Sequence, residues 1–400
     1  MNILFLSIVK FNCIEDKGIY TDLLRQFIAK GHKVYVVSPR ERRSNLPTEY
    51  VSEAGVNFLR VRVGNITKAN LFEKGISMIM IGRLFLKEIK KHFSNVKFDL
   101  ILYTTPPITF EKVISFIKTM DGAKSYLMLK DIFPQNAIDL KMFSKKGPLY
   151  WYFRNKEKKL YQISDYIGCM SPANVKYLLK HNPEISKDIV EVCPNSIEPL
   201  NLNLNNEKVI EIRAKYKIPT DRTVFIYGGN LGKPQGIHFI IECLKSNSNN
   251  EHIYFVIAGS GTEFNTLKSY FDNAKPVNAR LFSQLPKYDY ELLVSSCDVG
   301  LIFLDQRFTI PNIPSRLLSY MQASLPVLAA TDVNTDLKEI IEKGKFGYWC
   351  KSGDVTMFNK HVLRLCNPEL RKKMGNNARI YLESNFTAEH SYNIIMQHFA

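Results

Sequence analysis

Two doubly wound α/β domains in tandem are what this 400-residue sequence predicts, and three observations carry the prediction. Its opening passes from buried strand to helix to strand within residues 2–37, a βαβ unit that implies a parallel sheet. A polar tract at 201–206 (NLNLNN), just beyond Pro194-Asn195-Ser196, interrupts the pattern near mid-chain. The alternation then starts again, now with glycine-rich turns directly after apolar runs. Strands buried on both faces read as unbroken apolar runs, and these do.

In chain order, residues 2–8 (NILFLSI) predict the first strand, 18–30 a helix ended by Gly31-His32, and 33–37 and 57–63 the next two strands. Residues 66–93 mix apolar Phe72, Ile76, Ile79, Met80, Leu84, Phe85 and Ile89 with basic Lys68, Lys74, Arg83, Lys87, Lys90 and Lys91. Such a helix either lies on an anionic bilayer or packs on the sheet with a solvated basic face, and both readings stay open. Strands follow at 100–104 and 125–129, the first ending in Thr105-Pro106-Pro107 and the second in Lys130-Asp131. Open α/β sheets bind ligands at strand C-termini, where desolvated charges are costly unless used or paired. Residues 150–162 predict an aromatic, basic helix, and strands at 166–170 and 189–193 complete the first domain.

Beyond the linker come a helix at 207–216, strand 223–227, helix 236–245, strand 252–258, helix 262–273 and strand 277–282. The stretch 296–331 closes the series: a buried strand at 299–304, a helix opened by Pro314-Ser315-Arg316 over 317–323, and a buried strand at 325–330. Proline and serine suit a helix N-terminus, and a cation beside its unpartnered N–H groups suits an anion. The expected domains are 1–195 and 196–385, with a C-terminal helix at 386–400 returning to the first.

Composition narrows the function. Seven scattered cysteines without close pairs exclude a zinc ribbon or disulfide scaffold and fit a reducing cytosol. The start, MNILFLSIVKF, lacks a basic leader and cleavage site, so no signal peptide is expected. No apolar run reaches the roughly 18 residues of a membrane span. Net charge is +16 and uneven: residues 1–200 hold 31 Lys/Arg against 19 Asp/Glu (+12), and residues 201–400 hold 23 against 19 (+4). A basic half suits an anionic partner, although a lysine-rich proteome gives the same count. Without a zinc finger, RNP motif or basic arm, nucleic acid is not expected.

Chemistry gathers in three loops of the second half. Residues 227–236 (YGGNLGKPQG) form a glycine turn that can aim N–H groups at an anion. It is neither a Walker A sequence, lacking Gly-Lys-Ser/Thr, nor the spaced dinucleotide fingerprint. Residues 258–261 (AGSG) and 311–316 follow the neighbouring strands. Each loop alone is equally an ordinary tight connection; together, on one sheet rim, they argue for a nucleotide-sized site.

In that order, GGNLGKPQG, VIAGSGTE, CDVGLIFL and IPSRLLSYMQASLPVLA resemble segments of the retaining glycosyltransferases of family 4. KGIYTDLLRQFIAKGHKVYVVSP, KDIFPQNAID, EKKLYQISDYIGCMSP and VCPNSIE resemble its N-terminal segments, so the likeness covers nearly the whole chain. It points to the bacterial capsule and O-antigen branch that includes L-fucosamine transferases. The resemblance implies the GT-B fold, two Rossmann-like domains facing a central cleft. It also implies a UDP-sugar donor held mainly by the C-terminal domain, with no cofactor and no metal. By position, it places Gly229, Asn230, Gln235 and Gly236 along the donor diphosphate and sugar. Ser260, Gly261, Gln284 and Leu285 would hold the base, and Pro314, Ser315, Arg316, Leu317 and Ser319 the phosphate-side helix. Gly18 would approach the diphosphate from the first domain. Asp131 and Arg316 would be catalytic, with Lys130 and Asn136 on the acceptor side.

The chain departs from the family pattern at four positions. The family's Arg–Lys pair in the glycine turn is replaced by Asn230 and Gln235, and its two glutamates fall near Pro311 and at Ser319. The second glutamate is the one the resemblance assigns to the nucleotide ribose. The expected function is transfer of an N-acetylated hexosamine or deoxyhexosamine from UDP to a polyprenyl-diphosphate-linked saccharide. The expected location is the cytoplasmic face of the inner membrane, peripherally bound through anionic lipid. A non-catalytic nucleotide-sugar-binding scaffold and a UDP-sugar 2-epimerase stay open as alternatives.

Overall fold

Unbroken apolar runs become fully buried strands in both halves of the chain. The computed structural model describes residues 1–67, 69, 71–201 and 205–399. Lys68, the side chain of Phe72, and residues 202–204 of the expected linker lie outside the described residues. The chain divides into two compact units, Met1–Glu198 with Ala388–Ala400, and Pro199–Thr387.

The first unit is built on eight strands: β1 (Asn2–Leu6), β2 (Lys33–Glu41), β3 (Glu49–Glu53), β4 (Val56–Val63), β5 (Leu100–Thr104), β6 (Lys124–Leu129), β7 (Tyr166–Cys169) and β8 (Val190–Val192). Their order is β3-β4-β2-β1-β5-β6-β7-β8. Every pairing is parallel except β3 with β4, a hairpin turning through Ala54 and Gly55, both at positive φ. β3 escapes a reading based on apolar runs because Glu-Tyr-Val-Ser-Glu buries no side chain fully. The helix Leu71–His92 packs inward through Ile81, Phe85 and Ile89, with the Phe85 ring stacked on Phe110 at 5.4 Å. Helix Ala388–Met396 docks on helix Ile19–Ala29 through Tyr392, edge-on to Phe27 at 4.8 Å. The Ala388 N–H donates to the Ile197 carbonyl at 2.9 Å.

Six parallel strands form the second unit: β9 (Thr223–Asn230), β10 (Ile253–Ser260), β11 (Ala279–Phe282), β12 (Val299–Phe303), β13 (Val327–Thr331) and β14 (Gly347–Lys351). Their order is β11-β10-β9-β12-β13-β14. Phe225, Tyr227, Phe255, Leu301, Phe303 and Phe358 share one core, each buried large side chain contributing about 1.5–3 kcal/mol. β9 is flanked by β10 and β12, the two directions in which the chain winds. β12 pairs with it only through Val299–Phe225 and Gly300–Ile226, so the strands splay beyond that point. In a doubly wound sheet the crevice beyond such a switch is where ligands bind. Both units are parallel-sheet α/β folds, as the apolar runs predict. Among the described residues, no helix is long and apolar enough to cross a membrane.

Candidate functional site

The splaying of β9 and β12 leaves backbone groups that need partners, and Tyr320 supplies them. Its hydroxyl accepts from the Gly228 N–H at 3.3 Å and lies within donating reach of the Ile226 and Leu301 carbonyls, at 3.2 and 3.1 Å. Tyr320 sits on helix Arg316–Gln322, four residues from Arg316, so both point from one helix face toward the sheet. The Arg316 guanidinium then lies over the Tyr227 ring, 4.3 Å from its centroid. Gly229 lies against it as well: at φ 132, a Cβ there would stand 3.2 Å from Arg316 Nη2. Gly229 is therefore required by both backbone and neighbour.

Arg316 forms no ion pair among the described residues, and its Nη1 is closed to solvent with no hydrogen-bond partner. Burial works against its charge, but Tyr227, Tyr320 and Tyr290 outweigh that and hold its pKa above the ordinary value. A desolvated guanidinium with an unused donor and no acid beside it is a site waiting for an anion.

Next to it opens a cavity of about 410 Å³, lined by Gly229, Asn230, Ala258, Gly259, Ser260, Ser283, Gln284, Leu285 and Tyr290. Gly259 permits the cavity's floor, because a Cβ there would collide with the Gly229 carbonyl at 1.8 Å. Of the expected donor residues, the structure thus gathers Gly229, Asn230, Ser260, Gln284 and Leu285 at one cavity, with Arg316 against its glycine edge. Gln235 is not free to reach in: buried, it accepts from the Gly232 N–H at 3.1 Å and Asn230 Nδ2 at 3.3 Å, bracing the turn. Gly236 begins helix Ile237–Ser246 against Asp305, whose N–H donates to the Pro234 carbonyl at 2.8 Å and ties two loops together. Gly261 lies outside the lining, packed on the Leu231 carbonyl. Pro314, Ser315, Leu317 and Ser319 do not line the cavity; Leu317 is buried in the fold, and Ser315 and Ser319 face solvent.

At the rim of the first unit the arrangement differs. Thr105 Oγ1 accepts from both the Lys130 and Asp131 N–H groups, at 3.1 and 3.2 Å, fixing the chain just past β6. Lys130 and Asp131 do not pair with each other. Lys130 Nζ donates to the Cys193 carbonyl at 3.3 Å, and burial lowers its pKa. Asp131 Oδ2 accepts from Asn136 Nδ2 at 2.7 Å. Burial pushes the Asp131 carboxyl up to about 6, against the opposing pull of Asn136. Asn136 Oδ1 is buried and has no partner.

Gly18 stands at the head of helix Ile19–Ala29. Its φ of 167 is extended backbone that any residue adopts, so no glycine is needed for the chain to follow this course. Its N–H already donates to Asp22 Oδ1 at 3.1 Å, so the helix start carries its own acid.

Four residues stand at these rims without a sequence signal that singles them out. Tyr227, Tyr290 and Tyr320 come from a strand and two helices, and look in sequence like core aromatics. Asp332, directly after β13, is buried with Oδ2 unpartnered, and burial pushes its carboxyl up to about 6. Among the described residues, no group of three or more His, Cys, Asp or Glu is placed to hold a metal.

Residues 208–381 match the family model described as glycosyl transferases group 1. The chain is similar to "Probable glycosyltransferase WbjE" of Pseudomonas aeruginosa, 23% identical over 324 residues covering 80% of this chain and 78% of that protein. The fold matches WaaG, a glycosyltransferase involved in lipopolysaccharide biosynthesis, with TM-score 0.69 and 14% identity over 98% of this chain and 99% of that one. It also matches HepE of Anabaena in complex with UDP-glucose, with TM-score 0.70 and 13% identity over 100% and 99%. These neighbours show the GT-B type of fold.

Proposed function

We propose that this protein is a glycosyltransferase that takes its sugar from a nucleotide donor, held by the second unit. The observation that carries the reading is Arg316: a desolvated cation with no acid beside it, under a glycine turn, at a nucleotide-sized cavity. As the bond from the sugar to the diphosphate breaks, the electron pair leaves with the diphosphate oxygen, and the guanidinium meets the charge that develops there. The proposed reaction is metal-independent, as the resemblance to family 4 implies. Asp131, held by Asn136, is proposed to orient the acceptor hydroxyl and receive its hydrogen bond as the new bond to the sugar forms.

The finer reading is a retaining transferase of family 4 type. It moves an N-acetylated hexosamine or deoxyhexosamine from UDP to a polyprenyl-diphosphate-linked saccharide in capsule or O-antigen synthesis. The UDP-glucose bound by HepE supports a UDP-sugar donor, and the lipopolysaccharide role in the description of WaaG supports a place in polysaccharide synthesis. A lipid-linked acceptor places the protein at the cytoplasmic face of the inner membrane. UDP release from a panel of UDP-sugars, with and without a lipid-linked acceptor, tests the proposal. Acceptor-dependent release supports it. UDP-sugar binding without turnover under every acceptor would favour the non-catalytic scaffold, a reading that exposed Ser319, standing where the family has glutamate, keeps in view.

A further inference from the structure

One residue of the cavity wall is fixed by the fold and yet leaves its polar end unused. Tyr290 lies near the start of helix Lys287–Ser296, its N–H donating to the Pro286 carbonyl at 2.9 Å. Leu293 and Val294, three and four residues further on, are buried in the fold, so Tyr290 stands on the same helix face and points toward the sheet. Its ring tip reaches the end of β9, where a Cβ on Gly228 would stand 1.8 Å from the Tyr290 hydroxyl oxygen. Gly228 keeps ordinary strand backbone without a positive φ, so it is this neighbour that excludes a side chain there.

Tyr290 lines the cavity beside Arg316, and among the described residues its hydroxyl has no hydrogen-bond partner. Burial pushes that hydroxyl up to about 12, against the opposing pull of the Arg316 charge, so it stays an O–H donor throughout the working pH range. A phenylalanine would fill the same space with no polar atom to desolvate. The other side-chain donors of the wall are less prepared. Asn230 Nδ2 is turned to Gln235 Oε1 at 3.3 Å, and Ser260, Ser283 and Gln284 are exposed. Fixing an exposed side chain on a ligand costs rotamer entropy that a ring already packed against backbone does not lose. The lining holds no lysine, arginine or histidine, and Arg316 meets only one of the negative charges that a nucleoside diphosphate carries.

We propose that the Tyr290 hydroxyl is a second donor to the anion that Arg316 meets, hydrogen-bonding a phosphate oxygen of the nucleoside diphosphate. The two groups divide the work: the guanidinium supplies charge, and the phenol supplies one directed O–H to an oxygen the guanidinium leaves uncovered. With no second cation in the wall, Tyr290 is what strengthens the cavity's preference for a diphosphate over the bare nucleoside. This role rests on the nucleotide-donor reading of the second unit and goes beyond it by naming the group that shares the phosphate with Arg316.

Calorimetric titration of UDP into the full chain, Tyr290→Phe and Tyr290→Leu tests it. Tyr290→Phe keeps the ring against Gly228 and loses only the O–H, so it should raise the UDP Kd about tenfold while keeping wild-type circular dichroism and wild-type Tm without ligand. Uridine, which has no phosphate, should bind the wild type and Tyr290→Phe equally in an NMR titration. Unchanged UDP affinity in Tyr290→Phe would overturn the proposal. So would an equal loss for uridine, which would put the hydroxyl on the base or ribose. Affinity kept in Tyr290→Phe but lost in Tyr290→Leu would likewise overturn it, making the ring a stacking surface and the O–H idle. Absence of UDP binding in the wild type would remove the nucleotide-donor reading itself, whereas wild-type binding with an unaffected Tyr290→Phe removes only the role of Tyr290.

Discussion

Arg316 and Asp131 each end up desolvated at the C-terminal rim of a parallel sheet, yet the two rims treat charge in opposite ways. In the second unit a cation stands without an acid, stacked on Tyr227 and lying against Gly229. In the first, among the described residues, an acid stands without a cation, held by Asn136 while Lys130 turns to a backbone carbonyl. A guanidinium stays charged at every working pH, so its rim offers a fixed positive field suited to a group that is, or becomes, anionic. A carboxyl near 6 changes state within the working range, which suits handling of a hydroxyl and its proton. The glycines divide in the same way: Gly229 makes room for the cation, while Gly18 heads a helix whose start Asp22 already occupies.

Removing the cation should do the most damage. Arg316→Ala is expected to abolish UDP release or raise the donor KM more than about tenfold, since it leaves the diphosphate charge unmet. Arg316→Lys should recover only part of this, because an ammonium lacks the flat face that lies on Tyr227. Unchanged kcat/KM in Arg316→Ala would dissolve the contrast between the rims.

Asp131→Asn comes next, with kcat lower by about a hundredfold, donor affinity kept, and the acid limb of the pH–rate profile below about 6 lost. The stability effect has a definite sign. Because the folded carboxyl is raised from 3.8 to about 6, the native state holds a proton that the unfolded chain releases in that window. Stability therefore falls as pH rises through it, and the Tm advantage of Asp131→Asn should grow between about pH 4 and about pH 7. Asp332 sharpens the comparison, being raised in the same way but not lining the cavity beside Arg316. Asp332→Asn should leave kcat alone.

Smaller effects follow at the cage and the glycines. Tyr227→Leu should raise the donor KM about fivefold with kcat little changed, the loss of one cation–π face, while Tyr227→Phe keeps that face and the affinity. Gly229→Ala should weaken UDP binding by thermal shift, whereas Gly18→Ala should change neither binding nor Tm, its Cβ meeting only Thr21 Oγ1 at 3.4 Å. Equal effects at the two glycines would show that the first unit's helix start is also a ligand contact.

Much of the frame is legible in the sequence because parallel strands announce themselves as apolar runs. Residues 299–304 predict β12 and 223–227 the buried part of β9, while the turn at 227–236 falls where β9 ends. β3 and β14 are hidden because edge strands bury too little to leave such a run. At the site, Gly229 and Ser260 can be read from motif order, since they stand at the C-terminal ends of β9 and β10. The tyrosine neighbours of Arg316 cannot, because Tyr227, Tyr290 and Tyr320 meet only once β9, β12 and two helices have packed. Gln235 shows the converse: its place in the motif suggests a ligand contact, and its geometry makes it a brace.

The hydroxyl of Tyr320 has a further consequence. It satisfies backbone that only the parting of β9 from β12 exposes, and it rides on the same helical turn as Arg316. Sliding that helix by one residue would break both placements together, so the register that completes the sheet also aims the cation. The proposed anion grip thus depends on the same packing that completes the sheet. Substitutions in the cavity walls can therefore retune what is held without having to rebuild how it is held.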